Sequence, residues 1–213
     1  MKLYTAMLSP FAARVRMQIY AKGLEVEMAE AFTDFSVEQL AQMNPMGKLP
    51  VLEDGDLRLP ESTTICEYIE DRHPSPALRP SDPAQLARMR VLERMADFYV
   101  FEPLSPLFAH LSRKHRQQEV VDRQLALLQR GLGALEHYIP GEGCAIGTQL
   151  SLADCALVPI LLFVQTYLPY FAIEAPLQPY PRLQAYGERM ANNEHAARVI
   201  AEIRAAMKAK AGG

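Results

Sequence analysis

The chain has 213 residues, with 22 Lys and Arg against 25 Asp and Glu, a formal net charge of −3 and 49% hydrophobic residues. With a sequence pI of about 6.0, this balance excludes the basic footprint of a nucleic-acid-binding domain and fits a globular chain long enough for two small domains. The three cysteines, Cys66, Cys144 and Cys155, form no CxxC pair, which argues against a disulfide framework and for a reducing, cytoplasmic setting. Residues 1–5 hold too little apolar sequence before Ser9-Pro10 for a signal peptide. The longest apolar run, 156–163 with Pro159 inside it, is too short to span a bilayer, so no membrane is expected as a partner.

In chain order, residues 2–6 read as a strand. Residues 10–22 read as a helix stopped by Gly23, and 25–29 as a second, alternating strand. Ser36 and Gln39 match a capping box that opens a helix to Met43. Residues 49–53 and 57–59 flank Asp54-Gly55-Asp56, a hairpin signal, and 62–72 is a helix that ends before Pro74. The first βαβ unit predicts a right-handed parallel crossover, and the hairpin adds an antiparallel edge. Residues 77–83, in a run of four prolines between 74 and 83, read as a linker. Beyond it, 84–101, 117–138, 151–168, 182–192 and 195–210 are helical, with a tail at 210–213 expected to fray. The expected organisation is an α/β domain over 1–76, the linker, and an all-helical domain over 84–213.

The residues able to carry chemistry gather in the first domain. Pro50 lies against an apolar strand, where proline removes a ladder donor and belongs at a strand start, an edge or a special turn. A cis bond before it would turn the Leu49 backbone outward, leaving its N–H and C=O to pair with an extended peptide. Glu61-Ser62 opens the 62–72 helix, whose first N–H groups suit a carboxylate. Ser9 before Pro10 is a common helix start, N-cap then N1. The same hydroxyl sits in positive potential and can stabilise a bound thiolate. Lys48 reads alone as a solvated loop charge. Arg14 and Arg16 are expected on a helix face, pairing with acids or facing a partner subunit. Ser151 and Asp154 form a second capping box with a folding role. Cys66 and Cys155 read as buried, and Cys144, in a glycine-flanked loop, as the exposed thiol. The histidines show no metal spacing, and no metal is expected.

Ser9-Pro10-Phe11 with Arg14-Val15-Arg16, Asn44-Pro45-Met46-Gly47-Lys48-Leu49-Pro50-Val51-Leu52, Glu61-Ser62 and Ser151-Leu152-Ala153-Asp154 together resemble the cytosolic glutathione transferases over nearly the whole chain, with a bacterial, serine-type, theta- or zeta-like N-terminal motif. The resemblance implies a thioredoxin-like α/β first domain, an all-α second domain and a homodimer. It implies glutathione as co-substrate, with Leu49 and a cis Pro50 on its cysteinyl backbone, Glu61 near the γ-glutamyl amine and Ser62 near that carboxylate. Lys48 falls near the glycyl end, and Ser9 falls at the activating hydroxyl. Tyr4 lies too early on its strand to activate a thiol and reads as packing. Phe11, Phe98, Phe101, Phe108 and Leu111 are the implied liners of a pocket for a small apolar electrophile. The similarity also extends to interaction proteins of the stringent starvation protein A type, which associate with RNA polymerase. Zeta-type glutathione-dependent isomerases are a further alternative, although their Ser-Ser-Cys stands here as Ser9-Pro10-Phe11.

Overall fold

The structure is a computed structural model that describes residues 1–31 and 33–212. It divides into two compact units, one formed by Met1–Leu78 with Asn193–Gly213 and the other by Arg79–Asn192. In the first unit the chain runs β1 (Lys2–Thr5), α1 (Pro10–Ala21), β2 (Glu27–Glu30), α2 (Val37–Met43), β3 (Val51–Asp54), β4 (Leu57–Pro60) and α3 (Ser62–Arg72). The sheet order is β2-β1-β3-β4. β2 lies parallel to β1, and β3 antiparallel to both β1 and β4. Leu3, Val51 and Leu52 are buried, as are Ala12, Val15 and Ile19 of α1 and Ile65 and Ile69 of α3. The expected second strand shifts along the chain to Glu27–Glu30 because its pairing with β1 sets Lys2 opposite Glu27 and Thr5 opposite Glu30.

Local signals account for most boundaries. Ser9 caps α1 by accepting the Ala12 N–H, and Gly23 takes φ 63° just past its end. Ser36 and Gln39 exchange both capping-box bonds. Asp54 pairs with Leu57 across a two-residue turn that holds Gly55 at φ 60°. Tyr4 packs edge-on against Phe35 at 5.4 Å.

The helical unit does not extend to the end of the chain, as 84–213 had implied. The segment from Asn193, including α9 (Glu194–Gly212), belongs with the first unit. The reason is polar as well as apolar. Ala196, Val199 and Ile203 are fully buried, and Glu202 pairs with Arg16 of α1 at 3.0 Å. The helix continues through the tail expected to fray as far as Gly212, and Gly213 lies outside the described residues.

The second unit contains α4 (Pro83–Met95), a π-helical turn (Ala96–Phe101), α5 (Glu102–Leu104), 3₁₀ segments to His115, α6 (Gln118–Tyr138), α7 (Leu152–Tyr167) and α8 (Pro181–Ala191). The helix expected over 84–101 thus changes register at Ala96. Pro103 has no N–H to give to the Tyr99 carbonyl four residues back, which loosens the α pattern there. That carbonyl faces Gly131 of α6, where an added Cβ would stand 1.8 Å from the oxygen. The stretch Leu152–Phe171 is apolar enough to cross a membrane by composition, but 78% of its most apolar 18-residue window is buried inside the unit as a core helix.

Asp154, fully buried in the first turn of α7, accepts the Ser151 N–H (2.8 Å) and hydroxyl (2.7 Å), the Ala145 N–H (2.8 Å) and the Tyr186 hydroxyl (2.8 Å). Burial pushes its carboxyl up, and these four donors pull it back. One side chain thereby joins the loop before α7, the start of α7 and the middle of α8. Asp154→Ala strands several buried donors and is expected to cost roughly 3 kcal/mol or more. Denaturant unfolding checks this, and an unchanged midpoint contradicts it.

Candidate functional site

Strand register brings three loops to one edge of the first unit. Tyr4 of β1 pairs with Val51 of β3, and Val51 with Pro60 of β4. The chain leaving β1 toward Ser9, the Leu49-Pro50 entry to β3 and the Glu61-Ser62 exit from β4 therefore lie on adjacent strands, about 4.8 Å apart per step. Arg14 Nη1 donates to Thr63 Oγ1 at 2.7 Å, tying α1 to the first turn of α3.

Ser9 is half-buried with an extended backbone (φ −84°, ψ 121°), and its Oγ accepts the Ala12 N–H at 3.2 Å. The hydroxyl accepts in this contact, so its own proton remains available to a ligand. The cap and the donor are compatible roles for one atom.

The Leu49–Pro50 peptide bond is cis. The Leu49 side chain packs on the cluster of Leu40, Val51, Phe35 and Ala29. Among the described residues its backbone N–H and C=O take no hydrogen bond. The preceding loop is organised by Asn44, which is buried. Its side-chain amide donates to the Lys48 carbonyl (2.8 Å) and its side-chain oxygen accepts the Met46 N–H (3.1 Å). Lys48 itself projects into solvent.

Glu61 has φ 70° and ψ 110°, one of two non-glycine residues with positive φ among those described, and its side chain makes no cap bond. Such a conformation disfavours any residue with a Cβ and recurs at binding sites. Glu61 is exposed, Ser62 beside it is buried, and Ile65 donates to the Glu61 carbonyl to begin α3. The first N–H groups of α3, from Ser62 to Thr64, thus point beyond the helix toward the same edge. An extended backbone to pair, a helix start for a carboxylate, an exposed acid for an amine and a hydroxyl donor together suit a short peptide with both free ends.

Arg16 pairs with an acid as expected, Glu202 at 3.0 Å, and both Arg14 and Arg16 are buried, Arg16 completely. One expectation needs correction. Cys144 is buried too, with its Sγ 3.6 Å from the Thr148 carbonyl. Burial pushes its thiol up to about 11, so it is no ready nucleophile.

The five implied pocket liners are not gathered in either unit. Phe101 and Phe108 stand 6.3 Å apart in an aromatic cluster with Phe163 and Tyr167. Phe98, half-exposed under the Arg94 guanidinium, lines a different groove of about 660 Å³ with Tyr99 and Leu127. In a π turn, residues three apart no longer share a face. Leu111 lines a third hollow with Arg116 and Tyr170. Phe11 belongs to the first unit, its ring 5.6 Å from the Arg14 guanidinium.

Comparison with known proteins agrees with this division. The family model described as glutathione S-transferase, N-terminal domain, matches residues 3–77, and that described as glutathione S-transferase, C-terminal domain, matches 95–194. The chain belongs to the glutathione S-transferase family.

Among the relatives of this transferase, Glutathione S-transferase Z2 of Arabidopsis thaliana is 30% identical over 88% of this chain and 85% of its own. A maleylacetoacetate isomerase of Pseudomonas aeruginosa is 31% identical over 78% and 82%. A stringent starvation protein A homolog of Coxiella burnetii is 28% identical over 83% and 79%. A solved glutathione S-transferase from Methylobacillus flagellatus KT with GSH bound is 26% identical, with a TM-score of 0.76 over 93% of this chain and 98% of that one.

The strain at Glu61 gives a test that needs no ligand. Glycine removes the penalty on the Cβ and adds unfolded-state freedom, so Glu61→Gly is expected to stabilise the transferase by about 1 kcal/mol. A thermal melt reads the change. A fall in stability would mean that contacts of Glu61 outweigh its strain.

Proposed function

We propose that this transferase binds glutathione along the Ser9, Leu49-Pro50 and Glu61-Ser62 edge and delivers its sulfur as a thiolate to an apolar electrophile. The observation that carries the reading is the convergence of the three loops through the Tyr4–Val51–Pro60 register. The cysteinyl backbone pairs with the unpaired Leu49 N–H and C=O as an added strand does. The γ-glutamyl carboxylate sits at the start of α3 by Ser62, and its amine faces Glu61. Lys48 reaches the glycyl carboxylate.

Ser9 supplies the chemistry. A free thiol with a pKa near 8.5 is mostly protonated at neutral pH. Donation from the Ser9 hydroxyl stabilises the thiolate by about 1.5–3 kcal/mol, the range for a hydrogen bond to a charged group. That lowers the thiol pKa by roughly one to two units. The Ala12 N–H at the Ser9 oxygen polarises the hydroxyl further. The thiol proton leaves to solvent, and the sulfur pair forms the C–S bond. The electrons displaced at carbon go to the leaving group or into the conjugated system of the electrophile.

Relatedness to an isomerase supports a second reading in which the same thiolate adds reversibly to a conjugated double bond. Both readings require glutathione, whereas an interaction protein does not. The strained Glu61 and the unpaired Leu49 backbone favour the two that do.

Calorimetric titration with glutathione tests the binding, and absence of heat at millimolar ligand rejects the proposal. Ser9→Ala is expected to retain binding, raise the apparent thiol pKa by about one to two units and lower kcat by roughly 10- to 100-fold. Unchanged turnover would leave Ser9 with its cap role alone.

A further inference from the structure

We propose that Arg16, clamped by Glu202 of α9, is the positioning residue that holds the 6–9 loop, so that α9 helps determine where the Ser9 hydroxyl stands. Its consequence for thiol chemistry rests on the glutathione reading above.

The Arg16 guanidinium is fully buried and divides its donors between two tasks. Nε faces the Glu202 carboxylate at 3.0 Å, across 186 positions of sequence. Nη1 donates to Thr5 Oγ1 (2.8 Å) and the Ala6 carbonyl (3.3 Å), and Nη2 to the Met7 carbonyl (3.3 Å). A planar fork of this kind holds its acceptors in one rigid plane, whereas a lysine offers rotatable donors from a single nitrogen. The loop is held from its other side as well. The Met7 N–H donates to Glu30 Oε1 at 2.9 Å, and the Ser9 N–H returns to the Ala6 carbonyl at 2.9 Å. Ser9 therefore lies between two anchors: the Arg16 fork on Ala6 and Met7, and the Ala12 N–H at its own Oγ.

Glu202 is in turn oriented. It accepts the Tyr20 hydroxyl at 2.8 Å and lies 3.4 Å from Arg198, whose guanidinium stacks over the Tyr20 ring at 3.6 Å. A buried cation depends on its counter-ion and on every acceptor around it. Without the Glu202 charge, Arg16 must shift toward whatever acceptors remain or admit water, and the carbonyls it holds are those leading to Ser9. Small displacements of a reacting group can cost large factors in rate.

Glu202→Gln keeps the side-chain shape and the bond to Tyr20 while removing the charge. In the ligand-free protein the Ser9 amide is expected to exchange with solvent about tenfold faster, with amides of β3 and α3 unchanged. Arg16→Lys, which keeps the charge and loses the fork, is expected to do the same. An unaltered Ser9 amide in both variants overturns the proposal, whether or not glutathione binds.

In turnover, Glu202→Gln is expected to raise the apparent thiol pKa and lower kcat while KM for glutathione stays constant. This effect should disappear in the Ser9→Ala background. A loss that adds in full to that of Ser9→Ala marks a general folding defect and overturns the positioning role. If wild-type protein uses no glutathione, the glutathione reading fails and the Ser9 amide alone decides the bridge.

Discussion

The pairing of β1 with β3, and of β3 with β4, is the constraint on which the candidate site depends. Tyr4 opposite Val51 and Val51 opposite Pro60 align the end of one strand, the start of the next and the end of the third. Three chain segments that are remote in sequence then emerge side by side. A slip of one residue would turn Leu3 and Leu52 out of the core, so burial of these side chains protects the register. The apolar core thus fixes the spacing of polar groups that it never touches.

Around that sheet, a small number of buried polar side chains hold the irregular segments. Lys22 meets Glu70 at 2.8 Å and donates to the His73 and Pro76 carbonyls, while Glu70 accepts the Leu78 N–H. The segment following α3 is thereby pinned through the pair at its inner end. Asp154 does the same within the second unit, and Arg16 does it for the loop before α1. In each case a charge removed from water is balanced by a counter-charge, by backbone donors or by carbonyl acceptors. Loops held in this way can present a ligand site with little ordering left to complete on binding.

The fold was legible because its signals are local. Gly23, the Ser36 and Gln39 box, the two-residue turn at Gly55 and the Ser62–Arg72 helix all follow from rules that span a few residues. Ser9, Leu49, Pro50, Glu61 and Ser62 stand out as candidates because their residue types sit at turns with restricted chemistry. What stayed hidden is long-range. Nothing in the spacing of Arg14 and Arg16 reveals that they are buried, since the acid that pairs with Arg16 lies at position 202. The burial of Cys144 depends on the folding back of its loop, with its N–H on the Gly147 carbonyl. Phe98 and Phe101 lie in an aromatic run that reads as ordinary helix, and the π turn at Ala96–Phe101 sets them on different faces. Asn44 stood inside a recognised motif, yet its organising role appears only with its bonds to Lys48 and Met46.

The central claim, that one sheet edge orients a thiol-bearing peptide with its sulfur at Ser9, is tested most directly by a crystal structure of this transferase soaked with glutathione. The expected result is a cysteinyl backbone paired with Leu49, a γ-glutamyl carboxylate at the first turn of α3 and a sulfur within hydrogen-bonding distance of Ser9 Oγ. A tripeptide bound elsewhere, or bound here with its sulfur facing only backbone N–H groups, contradicts it.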